Sequence, residues 1–134
     1  MRNSLTPLPA ASEGARGTKI LVVDDELVWR RILATDLNLL GYEAVVAADA
    51  NEALGQIGDT TPGAAIIDLM LPGPIDGRGL AARLQQRLQP IPVLFYSAAY
   101  EASLPPEELE GAFAFISKAA ERAELYSLLA RALA

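Results

Sequence analysis

Polar residues that could take part in chemistry stand directly after four apolar runs of the sequence. They comprise three carboxylates, one hydroxyl and one amine, namely Asp24, Asp25, Asp68, Ser97 and Lys118. In a parallel α/β sheet the carboxyl ends of neighbouring strands meet at one edge, and ligands bind at that edge. If the four runs are strands of such a sheet, these five side chains converge on a single site.

The chemistry of such a cluster is narrowed by what the chain lacks. It contains no cysteine and no histidine, which excludes disulfides, thiol catalysis, imidazole or thiolate metal ligands and Ser-His pairs. Clustered carboxylates suit Mg²⁺. A carboxylate beside that cation can attack phosphorus, while Ser97 donates a hydrogen bond and Lys118 supplies positive charge to the transferred oxygens. The residue types therefore favour phosphoryl transfer to aspartate, with Mg²⁺ as the cofactor.

The composition is that of one small, acidic, globular domain. The chain has 134 residues, of which 51% are hydrophobic and 21% charged, and this balance supports a single core. The 17 acidic and 11 basic residues give a net charge of −6, which disfavours direct binding to nucleic acid. No apolar stretch approaches the roughly 20 residues that a membrane span needs. We expect no membrane insertion and a cytoplasmic location.

The elements that must position the polar residues are predicted from the alternation of apolar runs and amphipathic stretches, which is typical of βαβ units. Five strands are predicted, at residues 19–23, 44–47, 64–67, 93–96 and 112–116. Helices are predicted at residues 26–40, 50–57, 77–88 and 120–133, with a short helix over residues 103–110. Residues 1–17 contain prolines and glycines without a hydrophobic period. The sequence thus predicts a flexible tail over residues 1–17 and one α/β domain over residues 18–134.

Four segments of the sequence resemble the receiver domains of two-component response regulators. They are Ile20–Glu26 with its acidic pair, Ile66–Pro72 with Asp68, Tyr96–Ala98 with Ser97, and Phe115–Lys118. Each segment alone is weak evidence for this family, but four segments in this order and at this spacing are specific to it. The resemblance covers residues 19–133. The resemblance implies a flavodoxin-like (βα)5 fold, doubly wound, with a five-stranded parallel sheet in the strand order 2-1-3-4-5.

The resemblance also implies a role for each polar residue. Asp68 would accept a phosphoryl group from a phosphohistidine of a partner, either a histidine kinase or a histidine phosphotransfer protein. Ser97 and Lys118 would bind the phosphate oxygens. On phosphorylation Ser97 would move toward the phosphate and Phe115 would turn inward, which changes the surface for a downstream protein target. Mg²⁺ would be held by three carboxylates and one backbone carbonyl, supplied by Asp24, Asp25, Asp68 and Met70.

Three departures from the family pattern fall near this site. The loop Leu71–Gly77, which contains Gly73-Pro74, is one residue longer than the usual loop after the phosphorylated aspartate. Ala119 stands where the family usually has a proline that helps to aim the lysine. The Pro105-Pro106 connection, together with Phe95–Tyr100, is similar to a receiver subgroup with a Phe-X-Thr-Gly-Tyr signature and a poorly formed fourth helix.

Each candidate residue also has a purely structural interpretation. The acids of Asp24–Glu26 could cap the first helix, and Ser97 could be a turn hydroxyl. Lys118 could be a solvated strand end or a partner of Glu121. Phe115 and Trp29 could be ordinary core or helix-surface aromatics. The inference to function therefore depends on the joint pattern and not on any single residue.

Two functions remain open at this stage. The leading hypothesis is a phosphorylation-dependent signalling receiver, and the alternative is a non-phosphorylated pseudo-receiver that serves as a protein-binding module. An aspartate-nucleophile phosphatase is disfavoured because Met70 stands where its catalytic acid would be. The 134 residues leave no room for an output domain, so output would pass through partners or a homodimer, unless the chain is a piece of a larger protein.

Overall fold

The computed structural model describes residues 8–58, 60–87, 89–98 and 111–134, which form a parallel sheet flanked by helices. The strands are β1 (Lys19–Val23), β2 (Glu43–Ala47), β3 (Ala64–Ile67), β4 (Val93–Ser97) and β5 (Ala114–Ser117). The helices of this part of the chain are α1 (Leu27–Leu40), α2 (Ala50–Ile57), α3 (Gly77–Gln85) and α4 (Arg122–Ala132). The sheet order is β2-β1-β3-β4-β5, which confirms the predicted flavodoxin-like fold.

The central strands are apolar on both faces because helices cover both sides of the sheet. In β1, Ile20 and Val22 point into a core shared with α1 and α4. Leu21 and Val23 point into the opposite core, which is shared with α2 and α3. The two faces follow from the alternation of side chains along a strand, and they fix which helices lie next to the site.

Helix α1 is the element that the sequence predicts most clearly, and its limits follow from local signals. Leu33 and Leu37 lie on its apolar face and are fully buried, which contributes roughly 1.5–3 kcal/mol each relative to exposed side chains. The helix ends at Gly41, whose φ of 105° is the left-handed conformation that closes many helices. The amide of Gly41 donates to the carbonyl of Asn38 at 3.2 Å. The chain can then turn directly into β2.

The strand register brings the polar residues to one edge of the sheet. Val23 pairs with Ile67, so Asp24 and Asp68 leave neighbouring strands at the same level. Ser97 is the last residue of β4 and pairs with Ser117 of β5. The amide of Lys118 donates to the carbonyl of Ser97 at 2.9 Å. The four strand ends therefore meet, as predicted.

The prediction of a flexible tail through residue 17 is corrected for residues 8–17. These residues contain a short 3-10 turn at Glu13–Ala15, and Ala15 is buried in the core beneath α1. The amide of Ala11 donates to the carbonyl of Leu40 at 2.9 Å, and Gly17 donates to Gly41 at 2.7 Å. Hydrogen bonds between its backbone and the end of α1 hold this segment in place, although its sequence shows no hydrophobic period. Residues 1–7 lie outside the described part of the chain.

The predicted elements that fall within the described residues are present, with limits that match the prediction or differ from it by up to three residues. Helix α3 ends at Gln85, three residues before its predicted end, and β5 begins at Ala114, two residues after its predicted start. The short helix predicted over residues 103–110, and with it the Pro105-Pro106 connection, falls outside the described residues. Across the described ranges, no helix is both long and apolar enough to cross a membrane.

Candidate functional site

Asp68 lies at the centre of the polar cluster, and both of its carboxylate oxygens are engaged. The hydroxyl of Ser97 donates to Oδ1 at 2.7 Å, and the amide of Met70 donates to the same oxygen at 3.0 Å. The ammonium of Lys118 donates to Oδ2 at 2.9 Å. The Asp68 carboxylate is buried, and the donors to its two oxygens fix its position from two sides.

Two further carboxylates lie beside Asp68. Ligand oxygens of Asp24, Asp25 and Asp68 all lie within 4.8 Å of one another. Asp24 is buried and Asp25 is exposed, so the cluster has an inner and an outer side. The predicted convergence of these side chains is what the geometry shows.

Lys118 joins the two buried carboxylates. Its ammonium lies 2.7 Å from Asp24 Oδ2 and 2.9 Å from Asp68 Oδ2, and its side chain is only 7% exposed. Burial alone would lower the pKa of Lys118, but its hydrogen bonds to both aspartates, together with their charges, raise it above the usual range. The ammonium is therefore retained despite its burial, and Lys118 is neither a solvated strand end nor a surface ion pair.

At Asp24 the effect of burial on the pKa outweighs the effect of the hydrogen bonds, which is the reverse of the balance at Lys118. Desolvation by burial raises the pKa of Asp24, and the hydrogen bonds from Lys118 and from the amide of Glu26 offset this only in part. The Glu26 amide donates to Asp24 Oδ1 at 2.9 Å, just before α1. Asp24 thus engages the amide of the residue that precedes the helix, while its second oxygen faces Lys118; Glu26 at the N-cap makes no side-chain cap hydrogen bond, so the capping interpretation does not describe α1.

Glycine at position 77 allows the segment after Asp68 to fold back tightly. The amide of Gly77 donates to the carbonyl of Leu69 at 3.1 Å. A β-carbon at this position would collide with the carbonyl oxygen of Asp68 and would lie 2.7 Å from the α-carbon of Leu69. The start of α3 therefore rests directly on the backbone that carries Asp68.

The donor set of the cluster fits a hard divalent cation. Three carboxylates and one ammonium leave a formal charge of −2 in a partly buried place. Mg²⁺ prefers carboxylate oxygens together with waters, and the exposed Asp25 leaves one side of the cluster open to water. The residues that could hold the ion are Asp24, Asp25 and Asp68, and Met70, whose carbonyl is the fourth predicted ligand, lies two residues after Asp68 in the chain.

The remaining predicted residues are placed as follows. The side chain of Met70 is exposed, while its amide engages Asp68. Phe115 is half-buried and packs against the core shared with α2 and α3, so its switch role stays a prediction. Gly73 has a φ of 94°, a left-handed conformation that glycine adopts without a steric penalty. Pro72–Ile75 face Asp49–Asn51 across a shallow depression.

Two residues at this edge have contacts that sequence reasoning did not predict. Arg30 donates to the carbonyl of Asp24 at 2.8 Å. Trp29, which was expected to be a core or helix-surface residue, has its ring centroid 5.1 Å from the ammonium of Lys118. Their position in the first turn of α1, directly after the acidic pair, is the only signal in the sequence that points to them.

Comparisons with known proteins agree with this geometry. Residues 20–130 match the family described as the response regulator receiver domain. The chain is 41% identical over 118 residues to the transcriptional activator protein ExaE of Pseudomonas putida, which covers 86% of this chain and 55% of that protein. It is 35% identical over 116 residues to the phosphate regulon transcriptional regulatory protein PhoB of Pseudomonas aeruginosa, and the matched region covers 84% of this chain and 50% of PhoB.

Solved structures show the same fold. TrrA of Thermotoga maritima, in complex with Mg²⁺ and BeF, superposes with a TM-score of 0.78 at 27% identity, covering 87% of this chain and 99% of that one. The BeF3-activated receiver domain of Klebsiella pneumoniae RstA superposes with the same TM-score and identity, and the superposition covers 87% of this chain and 98% of that domain.

The chain spans about a third to a little over half of the length of the curated relatives that it matches. The match to the family nevertheless extends across most of the folded region, from β1 into the last helix. The chain therefore belongs to the response regulator receiver domains of two-component signal transduction.

Proposed function

We propose that this domain accepts a phosphoryl group from a phosphohistidine of a partner protein onto Asp68. One observation carries the proposal: the Asp68 carboxylate accepts hydrogen bonds from Ser97 and Lys118 while two more aspartates lie beside it. This chain contains no histidine, so the phosphohistidine must belong to another protein. The proposed partner is a histidine kinase or a histidine phosphotransfer protein.

In the proposed reaction an oxygen of Asp68 attacks the phosphorus of the phosphohistidine. A phosphorus–oxygen bond forms, the phosphorus–nitrogen bond breaks, and the imidazole leaves on the partner. Asp24, Asp25, Asp68 and the carbonyl of Met70 would hold Mg²⁺, and the ion would supply positive charge near the transferring phosphoryl oxygens.

Ser97 and Lys118 already donate to the oxygens of Asp68, so they are in place to bind the oxygens of the new phosphoryl group. These hydrogen bonds now end on the carboxylate oxygens, and once directed to the phosphoryl oxygens they would stabilise the negative charge of the transferred group. Redirection of the Ser97 hydroxyl from the carboxylate to the phosphate is the expected local change. In the proposed switch Phe115 follows by turning inward, and the altered surface is recognised by a downstream protein or a second copy of the chain.

The test is Mg²⁺-dependent phosphorylation by a small donor such as acetyl phosphate, followed by intact-mass measurement. The wild-type chain should gain one phosphoryl group, and Asp68→Asn should gain none. Asp76→Asn is the matched control, because Asp76 is a nearby acid whose hydrogen bonds are to the start of α3 and not to the cluster. A second reaction with a phosphorylated histidine phosphotransfer protein tests the proposed natural donor chemistry.

A wild-type chain that gains no phosphoryl group from either donor contradicts the proposal. That result favours the alternative hypothesis of a pseudo-receiver, which would use the same fold only to bind a protein. Phosphorylation that persists in Asp68→Asn would instead place the acceptor elsewhere.

A further inference from the structure

Trp29 lies between Lys118 and strand β4. Its ring centroid is 5.1 Å from the Lys118 ammonium, within the range of a cation–π interaction. The same ring makes an edge-to-face contact with Tyr96, with centroids 5.5 Å apart and planes at 89°. Tyr96 is fully buried, so the indole is held from the side of β4 while its π system faces the lysine.

The lysine needs more than its backbone to hold its ammonium in place. In the loop after β5, the amide of Ala119 donates to the hydroxyl of Ser117 at 3.0 Å, a bond that the usual proline could not make. The amide of Ala120 donates to the carbonyl of Ser117, also at 3.0 Å. These bonds fix the main chain around Lys118, but the ammonium lies at the end of a flexible four-carbon stem.

Two carboxylates also compete for that ammonium. Asp24 and Asp68 both approach it within hydrogen-bond distance, and the contact with Asp24 is the shorter one. A lysine drawn fully to Asp24 would not reach the oxygens transferred to Asp68. A third carboxylate, Glu26, lies farther away at 3.9 Å. The ring of Trp29 adds an attraction to the ammonium that does not come from a carboxylate, and the lysine side chain is only 7% exposed.

We infer that Trp29 is a positioning residue for Lys118, and that its ring holds the ammonium where it stabilises phosphoryl transfer to Asp68. The expected effect on the rate of Asp68 phosphorylation rests on the proposed function, whereas the contact between Trp29 and Lys118 does not. Trp29 would affect the reaction only through Lys118. The ammonium stabilises the transition state only when it lies close to the transferring oxygens, so a small displacement of the ammonium removes much of that stabilisation.

The first test compares phosphorylation rates at saturating acetyl phosphate and Mg²⁺. Trp29→Leu should lower the first-order rate constant by about three- to tenfold, the range of a cation–π contribution at a partly buried site. Trp29→Phe keeps an aromatic face and should restore most of the rate. The donor concentration at half-maximal rate should be unchanged, because the acid cluster is intact in both variants.

A matched control separates positioning from general loss of packing. Leu33 lies one turn after Trp29 in α1 and is buried in the same core, so Leu33→Val weakens the helix packing without touching Lys118. It should keep the wild-type rate even though it lowers the melting temperature. If Trp29→Leu does not fold, Trp29→Met replaces it, since it also removes the aromatic face while filling more of the space.

The second test observes the lysine directly and needs no phosphorylation. The chain has only two lysines, Lys19 and Lys118, and the Lys19 side chain is 40% exposed. In ¹⁵N-lysine-labelled protein, the ring current of Trp29 should displace the ammonium signal of Lys118. Trp29→Leu should shift that signal, Trp29→Phe should shift it less, and the Lys19 signal should not move.

The outcomes distinguish this inference from the proposed function. An unchanged Lys118 signal in Trp29→Leu, an unchanged rate in that variant, or an equal loss of rate in Leu33→Val overturns the positioning role. A wild-type chain that is not phosphorylated at all overturns the proposed function and the rate effect together. In that case a shifted Lys118 signal still supports the contact between Trp29 and the ammonium.

Discussion

Among the described residues, the buried carboxylates belong to two separate groups, each of which contains one cationic side chain. At the sheet edge, Lys118 lies between Asp24 and Asp68. Without its ammonium, two neighbouring carboxylates would be left in a poorly solvated place, where removal of one partner is strongly destabilising. Lys118 therefore has a structural effect as well as a proposed catalytic one.

The second group joins α1 to α4 on one face of the sheet. Asp36 accepts a hydrogen bond from the hydroxyl of Tyr126 at 2.6 Å and from Nε of Arg122 at 2.7 Å. Burial raises the pKa of the Tyr126 phenol, and the hydrogen bond and charge of Asp36 raise it further. The same carboxylate raises the pKa of Arg122 through their hydrogen bond. Tyr126 thus remains a neutral hydrogen-bond donor to Asp36.

Loss of the Tyr126 hydroxyl should weaken this connection. Tyr126→Phe removes a buried hydrogen bond to a charged group, so we expect the free energy of unfolding to fall by about 2 kcal/mol. Urea denaturation measures the change. Tyr42→Phe is the control, because the Tyr42 hydroxyl is buried and has no hydrogen-bond partner within the described ranges. That variant should be neutral or slightly stabilising, and equal losses in both variants would contradict the role assigned to Asp36.

At the scale of elements, the start of α3 connects the fold to Asp68. Asp76 caps the helix through Oδ1, which accepts the amide of Gly79 at 2.9 Å. Gly77 brings the first turn against the backbone of Asp68 and Leu69. Stability and site geometry are therefore linked in this one turn.

Gly77→Ala should damage both properties, because its β-carbon would collide with backbone and not with a flexible side chain. We expect a loss of about 1–3 kcal/mol in unfolding free energy and slower phosphorylation of Asp68. Gly55→Ala in α2 is the matched control, since a β-carbon there meets no atom within 4 Å. That control should stabilise the protein by roughly 0.5–1 kcal/mol. Gly77→Ala with wild-type stability would show that the turn does not need the close approach.

Asp76 should make stability depend on pH at the acid end. The hydrogen bond from the Gly79 amide, with help from Arg78, holds the pKa of Asp76 below 3.8 in the folded state. Its contribution is therefore present above pH 3.8 and is lost as the pH falls through the lowered folded pKa. Asp76→Ala should cost about 1 kcal/mol at neutral pH, and the difference from wild type should shrink below pH 3.8.

Denaturation of wild type and Asp76→Ala at several pH values measures this contribution. Asp76→Asn is the control, since an amide oxygen can cap the helix without titrating. A difference between wild type and Asp76→Ala that grows on acidification would contradict the assignment.

At the scale of the whole molecule, binding of Mg²⁺ and folding should be coupled. The three aspartates come from the ends of β1 and β3 and are brought together only in the folded chain. A ligand that binds only the folded state stabilises it by about 2.7 kcal/mol at 100 times its dissociation constant. We therefore expect the melting temperature to rise with added Mg²⁺, together with a change in the fluorescence of Trp29, the single tryptophan of the chain.

Asp25→Asn should reduce this Mg²⁺-dependent rise while leaving the fold intact, because Asp25 is exposed. Glu124→Gln, which alters an exposed acid on α4, should show the same rise as wild type. Equal responses of the two variants would show that the effect is a general one of ionic strength. No response in wild type would count against a metal site at the cluster.

Much of the fold and of the cluster could be predicted because both depend on signals that are local in the sequence. Four of the five apolar runs are followed by polar residues, and parallel strands bring such ends together. The order of the segments that contain Asp68, Ser97 and Lys118 then indicates the sheet. The packing of residues 8–17 was missed because it depends on backbone hydrogen bonds to Leu40 and Gly41, which leave no pattern of apolar side chains.

The sequence by itself determined which groups stand at the sheet edge, since the residue that follows a buried strand must emerge there. Only the tertiary structure decided which of these groups touch one another and what lies around them. The contact of Trp29 with Lys118, and the bonds from Asp36 to Arg122 and Tyr126, join residues more than 80 positions apart. Such contacts depend on the directions in which side chains leave packed helices and strands, and periodicity along the chain does not encode those directions.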